Sequence, residues 1–322
     1  MNWKRFTYIT AFVFLIGACK SNNKPVPTVG FVDAFEDATI AQAKDGFVDA
    51  LKEGGYSEEK NTIKVLYKNA QGDIPALTQI VNYYLSEKVD LMATSTTLST
   101  LTALQRTQTV PVFMMVSPVP ERMKILDAAG KPPVNLYGVA EELAYIDTSF
   151  TLIPKMLKPK GAKLIVGMIY NQAEPQSADA LERIRSLARQ NNIQIEALPL
   201  NTTAEAQIVT QSLLNKNIDA FFANPDNTVF AAFETILKNC NQQNIPIFTS
   251  EAGLVKRGAV AAFGADIYQW GHQAGEQAVK YLKSGKTEGL RWEMVKVRKR
   301  VYNPEAVKKY NISIPEGFEA VK

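Results

Sequence analysis

The sequence predicts an α/β fold: two doubly wound parallel-sheet lobes in tandem, facing each other across an interlobe cleft. Three observations carry this. From Thr28 onward, short β-rich runs alternate with amphipathic helical stretches. Some of those runs, such as Val110 to Val116, are apolar throughout, as strands covered on both faces must be. The pattern then starts again, and its halves rhyme. Val89-Asp90 opens a strand, a helix and Val110-Pro111-Val112-Phe113, while Ile218-Asp219 opens a strand, a helix and Ile245-Pro246-Ile247-Phe248.

Taken in order, Val29–Val32 reads as a buried strand. Ile40, Ala43, Phe47 and Leu51 recur at helical spacing until Gly54-Gly55 stops them. Ile63–Tyr67 alternates as a strand, and Leu77, Ile80, Val81, Tyr84 and Leu85 line one side of the next helix. Strand 89–93, helix 97–106 and strand 110–116 complete the first half. The second half opens with a helix near Tyr145–Leu157 and strand Leu164–Tyr170. A helix bearing Leu181, Ile184, Leu187 and Ala188 follows, then strand 193–198, helix 203–216, strand 219–223, helix 228–243, and strands 245–249 and 259–263.

The start of the chain says where the protein goes. Lys4 and Arg5 precede an apolar run, Phe6 to Ile16, and small residues lead to a break: the pattern of a secretory signal peptide over residues 1–18. That run of about 11 residues is too short for the roughly 20 that span a bilayer as a helix. Leu15-Ile16-Gly17-Ala18-Cys19 resembles the lipobox of bacterial lipoproteins, which implies cleavage before Cys19 and acylation of its sulfur and amino group. The other reading is an ordinary leader with an incidental cysteine. Residues 19–27 are polar and proline-bearing, as a tether between lipid and domain should be.

Composition narrows the function further. The formal net charge of +4 falls by two when Lys4 and Arg5 leave with the leader, too weak a charge to suggest a nucleic-acid partner. Once Cys19 is lipidated only Cys240 remains, on an apolar helical stretch where a buried inert thiol is expected. A single histidine, His272, and no Cys/His ligand spacing argue against a metal site or other cofactor.

Ligands of open parallel sheets bind beyond the carboxyl ends of the strands, and a cleft between two lobes is a preferred place for them. The polar residues directly after strands are therefore the candidates: Asp33 to Asp37, Thr94 to Thr97, Ser117, Tyr170 to Ser177, Asn224 to Thr228, Ser250-Glu251 and Gly264 to Asp266.

At these segments the chain resembles the extracytoplasmic solute-binding proteins of ABC importers, in the group that includes tryptophan- and tyrosine-binding lipoproteins. The matching stretches are Lys44 to Leu51, Asn69 to Asp73, Val89-Asp90-Leu91, Tyr170-Asn171, Asp226 to Val229, Val255 to Ala259, and Tyr302-Asn303-Pro304 to Ile314-Pro315. The resemblance implies a type I periplasmic-binding fold whose lobes are joined by three crossings and close over a ligand. It places lobe 1 at 28–139 and 265–288 and lobe 2 at 140–264 and 289–322, with crossings near Tyr137–Glu142, Phe263–Asp266 and Thr287–Arg291. It also implies a monomeric, membrane-anchored receptor in the periplasm or at the cell surface, partnered by an ABC permease in the inner membrane. After the first strand of the second lobe, Asn171, Glu174 and Ser177 match the family pattern, while Gln176 replaces an Asn; Asp226-Asn227-Thr228 is intact. Two segments depart from it: Ser117-Pro118 lacks the usual acid, and Ala34-Phe35-Glu36-Asp37 replaces the usual first loop.

For an amino-acid-like solute, both charges need partners in a space closed to water. Thr94-Ser95-Thr96-Thr97 follows a strand and opens a helix, where free N–H groups and hydroxyls favour a carboxylate. Asn171 and Ser177 add donors across the cleft. Glu174, Asp226 and Glu251 supply negative charge for an ammonium, and Phe35 and Tyr170 supply apolar surface. Ser117, Gln176, Asn227, Thr228, Ser250 and Asp266 complete the expected pocket. The same residue types also serve as helix caps in any α/β protein. His272 reads as an exposed or capping residue, and Lys296, Arg298, Lys299 and Arg300 read as a solvated strand edge. With no nucleophile–base set and no phosphate loop, the chain does not read as an enzyme. A sugar or nucleoside solute, and a sensory rather than an import role, remain alternatives at this level.

Overall fold

The computed structural model describes residues 25–321; the leader, Cys19 and the tether up to residue 24 lie outside the described residues. The first lobe runs β1 (Thr28–Asp33), α1 (Ala38–Glu53), β2 (Lys64–Asn69), α2 (Ile74–Ser86), β3 (Leu91–Ser95), α3 (Thr96–Arg106), β4 (Val112–Pro118), α4 (Pro120–Met123) and β5 (Leu136–Glu141). The second continues α5 (Ala144–Met156), β6 (Leu164–Tyr170), α6 (Pro175–Gln190), β7 (Ile193–Pro199), α7 (Ala206–Leu214), β8 (Ala220–Ala223), α8 (Asn227–Ala231), α9 (Phe233–Gln242), β9 (Ile247–Thr249), α10 (Ala252–Lys256) and β10 (Ala261–Ala265). The chain returns to the first lobe with α11 (Ile267–Ser284) and β11 (Glu293–Met294), then ends in β12 (Arg298–Tyr302), α12 (Pro304–Tyr310) and β13 (Glu319–Ala320).

The first sheet is parallel in the order β2-β1-β3-β4-β5-β11, and the second in the order β7-β6-β8-β9. The Val260 N–H donates to the Ile247 carbonyl at 2.7 Å, bringing the β10-β12-β13 strip alongside β9. Phe31, Phe47 and Trp270 pack on one face of the first sheet, and Leu77, Val81 and Tyr84 on the other. The second sheet is covered likewise by Leu213 and Phe233 on one side and Phe150 and Ile184 on the other. α1 and α11 lie against each other because Gly271 leaves room: a Cβ there would sit 1.8 Å from the Ala43 carbonyl oxygen.

Some local readings shift. The expected helix 228–243 is broken at Ala232 into α8 and α9. Glu293 and Met294 pair with Val139 and Ala140, so the chain leaves the first sheet for the last time after residue 295, later than the predicted 288/289 boundary. The basic run is exposed, as a solvated strand edge should be, with β13 pairing to β12 only at Val301 and Tyr302, yet its charges are paired. β12 lies between β10 and β13, Arg298 pairs with Glu141, Lys299 with Asp266, Lys296 with Glu293, and Arg300 stacks over Phe263. Cys240 is buried, and burial pushes its thiol up to about 12. His272 pairs with Glu53 on the α1–α11 surface.

Candidate functional site

The site begins where β3 passes into α3. Ser95 occupies the cap position but makes no side-chain cap bond. The first N–H groups of α3 are therefore left for another acceptor. Thr96 has φ +74° and Val116, on β4, has φ +50°. A left-handed backbone is costly for β-branched residues and marks places where the surroundings impose a geometry. At Val116 the cause is visible: β4 slips register against β5 between Met114 and Ser117, a bulge that re-aims Ser117. Behind this corner, hydroxyls bond one another. Thr94 and Thr100 are 2.9 Å apart, Thr100 and Ser117 3.2 Å, and Ser117 donates to the Met115 carbonyl. The hydroxyls of Thr96 and Thr97 are buried and have no partner.

On the opposite lobe, two of the expected carboxylates are occupied. Asp226 caps α8: its Oδ1 accepts from the Val229 N–H, and its Oδ2 accepts from the Asn171 N–H at 2.6 Å and the Ser177 hydroxyl. Glu174 accepts from the N–H and side-chain amide of Asn227, from the N–H and hydroxyl of Thr228, and from the Gln176 amide, at 2.6–3.2 Å. Burial pushes both carboxyls upward, and for Glu174 the Asp226 charge adds to the effect. The pair clamps the β6–α6 loop to the α8 N-terminus. Both carboxylates thus already have protein donors, where the sequence reading assigned them to a ligand's ammonium.

Glu251 is different. It follows β9 and stands at the cap position of α10 without making a cap bond. The Tyr145 hydroxyl donates to Oε1 at 3.1 Å, but Oε2 is buried without a partner. Burial pushes the carboxyl up to about 8, with the nearby Glu141 charge adding to the rise and the Tyr145 and Ser250 hydroxyls opposing it.

These features share one tight cavity of about 50 Å³ between the lobes. Thr96, Thr97 and Ser117 line it from the first lobe, and Gln176, Asp226, Asn227 and Glu251 from the second. Its apolar wall is Leu143, Tyr145, Phe230 and Trp270. Of the expected residues, Phe35, Asn171, Glu174 and Thr228 instead line a wider interlobe groove, flanked by the loops that follow β2 and β7. Thr94, Ser95, Ser177 and Ser250 are buried but line no part of the cavity, and Tyr170 packs into the second-lobe core. Asp266 caps α11 and pairs with Lys299 in another groove.

Sequence reasoning by strand ends missed Glu141, Leu143, Tyr145, Phe230 and Trp270. Four of these flank the crossings: Glu141 ends β5, Leu143 and Tyr145 follow it, and Trp270 stands one turn into α11 with its indole N–H donating to the Val139 carbonyl at 2.7 Å. Proximity to a crossing was the available signal, because the crossings form the floor of the cleft.

Comparison with known proteins agrees with this architecture. The family model described as "ABC transporter substrate binding protein" matches residues 28–321. A tyrosine-binding protein of Clostridioides difficile (strain R20291) is 32% identical over 270 residues, covering 84% of this chain and 76% of that protein. Among solved structures, a Streptococcus pneumonia ABC domain in complex with L-Trp superposes with a TM-score of 0.80 at 21% identity, covering 92% of this chain and 100% of that one. The ligand-free, open structure of a Clostridium difficile substrate binding protein with adhesive properties has a TM-score of 0.65 at 25% identity, covering 92% and 99%. Such proteins bind solutes outside the cytoplasm and are not enzymes, and among the described residues no helix is long and apolar enough to cross a membrane. The chain belongs to the family of ABC transporter substrate binding proteins.

Proposed function

We propose that the protein is an exported receptor, anchored through a lipidated Cys19, that captures a zwitterionic amino acid with an aromatic side chain and delivers it to an ABC permease. One observation carries the solute class. A carboxylate oxygen of Glu251 and the hydroxyls of Thr96 and Thr97 are buried, lack protein partners and line the same cavity. Buried polar atoms without partners are rare and costly, so a set of them around one space calls for a ligand that completes it.

The solute's ammonium pairs with Glu251, and its carboxylate accepts from the open N-terminus of α3 and the two threonine hydroxyls. Its side chain lies against Tyr145, Phe230 and Trp270, and the tyrosine-binding relative supports an aromatic group there. Because residues of both lobes contact it, the solute favours the closed arrangement, and its binding energy shifts that equilibrium.

The test is thermal unfolding of the purified chain with L-tyrosine, L-tryptophan and two truncated analogues. Tyramine lacks the carboxylate, and 3-(4-hydroxyphenyl)propionate lacks the ammonium. Stabilisation by an intact amino acid at saturation, of about 4 kcal/mol at a thousandfold excess over Kd, with neither analogue effective, supports the reading. Equal stabilisation by either analogue, or stabilisation by sugars alone, refutes it. The mass of the mature N-terminus from a bacterial host tests the anchor.

A further inference from the structure

Arg257, at the end of α10 in the second lobe, reaches across the cleft to the first. Its Nη1 donates to Asp37 Oδ2 at 2.6 Å and to the Thr39 hydroxyl at 3.1 Å. Within its own lobe the guanidinium donates to Glu234 and to the Phe230 carbonyl at 3.1 Å, and it lies over the Phe233 ring. The two ion pairs are unequal: the Asp37 side chain is 1% exposed and that of Glu234 67% exposed. A charge pair shielded from water is held far more firmly than a solvated one. Beside it, the lobes touch without slack, since a Cβ on Gly253 would lie 2.2 Å from Thr39 Cγ2. Phe230, whose carbonyl the same guanidinium grips, lines the solute cavity.

We propose that Arg257 is a positioning residue for solute capture: its bond to Asp37 latches the lobes and sets how much of the solute-free protein is closed. The latch rests on the closure reading of the cleft but not on the chemistry of the solute. It raises apparent affinity because a solute that binds the closed state is penalised only by the fraction not already closed.

Asp37 offers a clean test. Its Oδ1 caps α1, accepting from the N–H groups of Thr39 and Ile40, while Oδ2 takes the arginine. Asp37→Asn keeps an oxygen for the cap and sets an amide against the guanidinium, so α1 stays capped and the cross-lobe pair is lost. The experiment is amide hydrogen exchange of the full chain in detergent without solute. It is read at residues 94–100 and 143–147, which flank the cavity and make no contact with Arg257. Exchange there at least about threefold faster in Asp37→Asn and Arg257→Gln, and unchanged in Glu234→Gln, supports the latch. Gly253→Ala, which drives a methyl into Thr39 across the cleft, gives the same pattern. Faster exchange confined to residues 37–43 and 252–258, with the cavity segments at wild-type rates, overturns it. Because no solute is present, failure of the amino-acid reading leaves this result interpretable.

Discussion

Glu141 and Arg298 form a two-pronged ion pair, with Nη2 to Oε1 at 2.6 Å and Nε to Oε2 at 2.9 Å. The pair ties the last residue of β5, on the cavity wall, to the first residue of β12, beyond the last crossing. Glu141 is 2% exposed, so loss of its partner leaves a buried charge. Arg298→Gln should lower stability by about 2–4 kcal/mol, read in denaturant melts, and the double variant with Glu141→Gln should recover part of it. Equal loss in the single and double variants would mean the pair does not act as a unit.

Glu251→Gln should keep the fold and lose the solute. Truncating one side of a buried charge contact costs about 2–5 kcal/mol, so the L-tyrosine Kd should rise at least about 30-fold. Because Gln removes a buried carboxyl that burial already disfavours, the empty protein should melt no lower than wild type near pH 8. Calorimetric titration and a melt of the same sample check both halves.

The titration of Glu251 gives a pH signature. Its folded value of about 8 exceeds the ordinary 4.5, so its ionisation costs the empty protein stability. That cost is absent below about pH 4.5, grows as pH rises and is complete above about 8. An ammonium beside the carboxylate favours the ionised form, so amino-acid binding below pH 8 expels a proton. Affinity should rise with pH, by up to about tenfold per unit between 5 and 8. Calorimetry at pH 7 in phosphate and in Tris should report proton release; none would favour a neutral sugar on a protonated Glu251.

Glu174→Ala and Asp226→Ala should act on stability before they act on binding. Each strands buried N–H groups at the start of α8, and losing such a cap costs about 2 kcal/mol or more. Melts without solute should show it. An unchanged melting temperature with abolished binding would instead make these acids ligand contacts.

Much of the fold was legible because the strands are apolar on both faces and the helices are amphipathic, patterns that burial imposes directly. The clustering of polar residues after strands located Thr96, Ser117, Asn227 and Glu251 on the cavity. It could not separate Glu251 from Glu174, since both are acids after strands. What distinguishes them is the set of donors supplied by Asn227 and Thr228, which lie 53 and 54 positions away. Phe230 was illegible for the opposite reason: on its helix it carries the same apolar signal as a core residue. The ion pairs of Arg298 and Lys299 were illegible because their acidic partners, Glu141 and Asp266, lie far away in the sequence.

The most direct measurement is a crystal structure grown with L-tyrosine. The ammonium should lie about 2.7–2.9 Å from Glu251 Oε2, with the carboxylate on the Thr96 and Thr97 N–H and hydroxyl groups. Tyrosine seated instead in the wider groove beside Phe35, or with its ammonium against Glu174, would contradict the account.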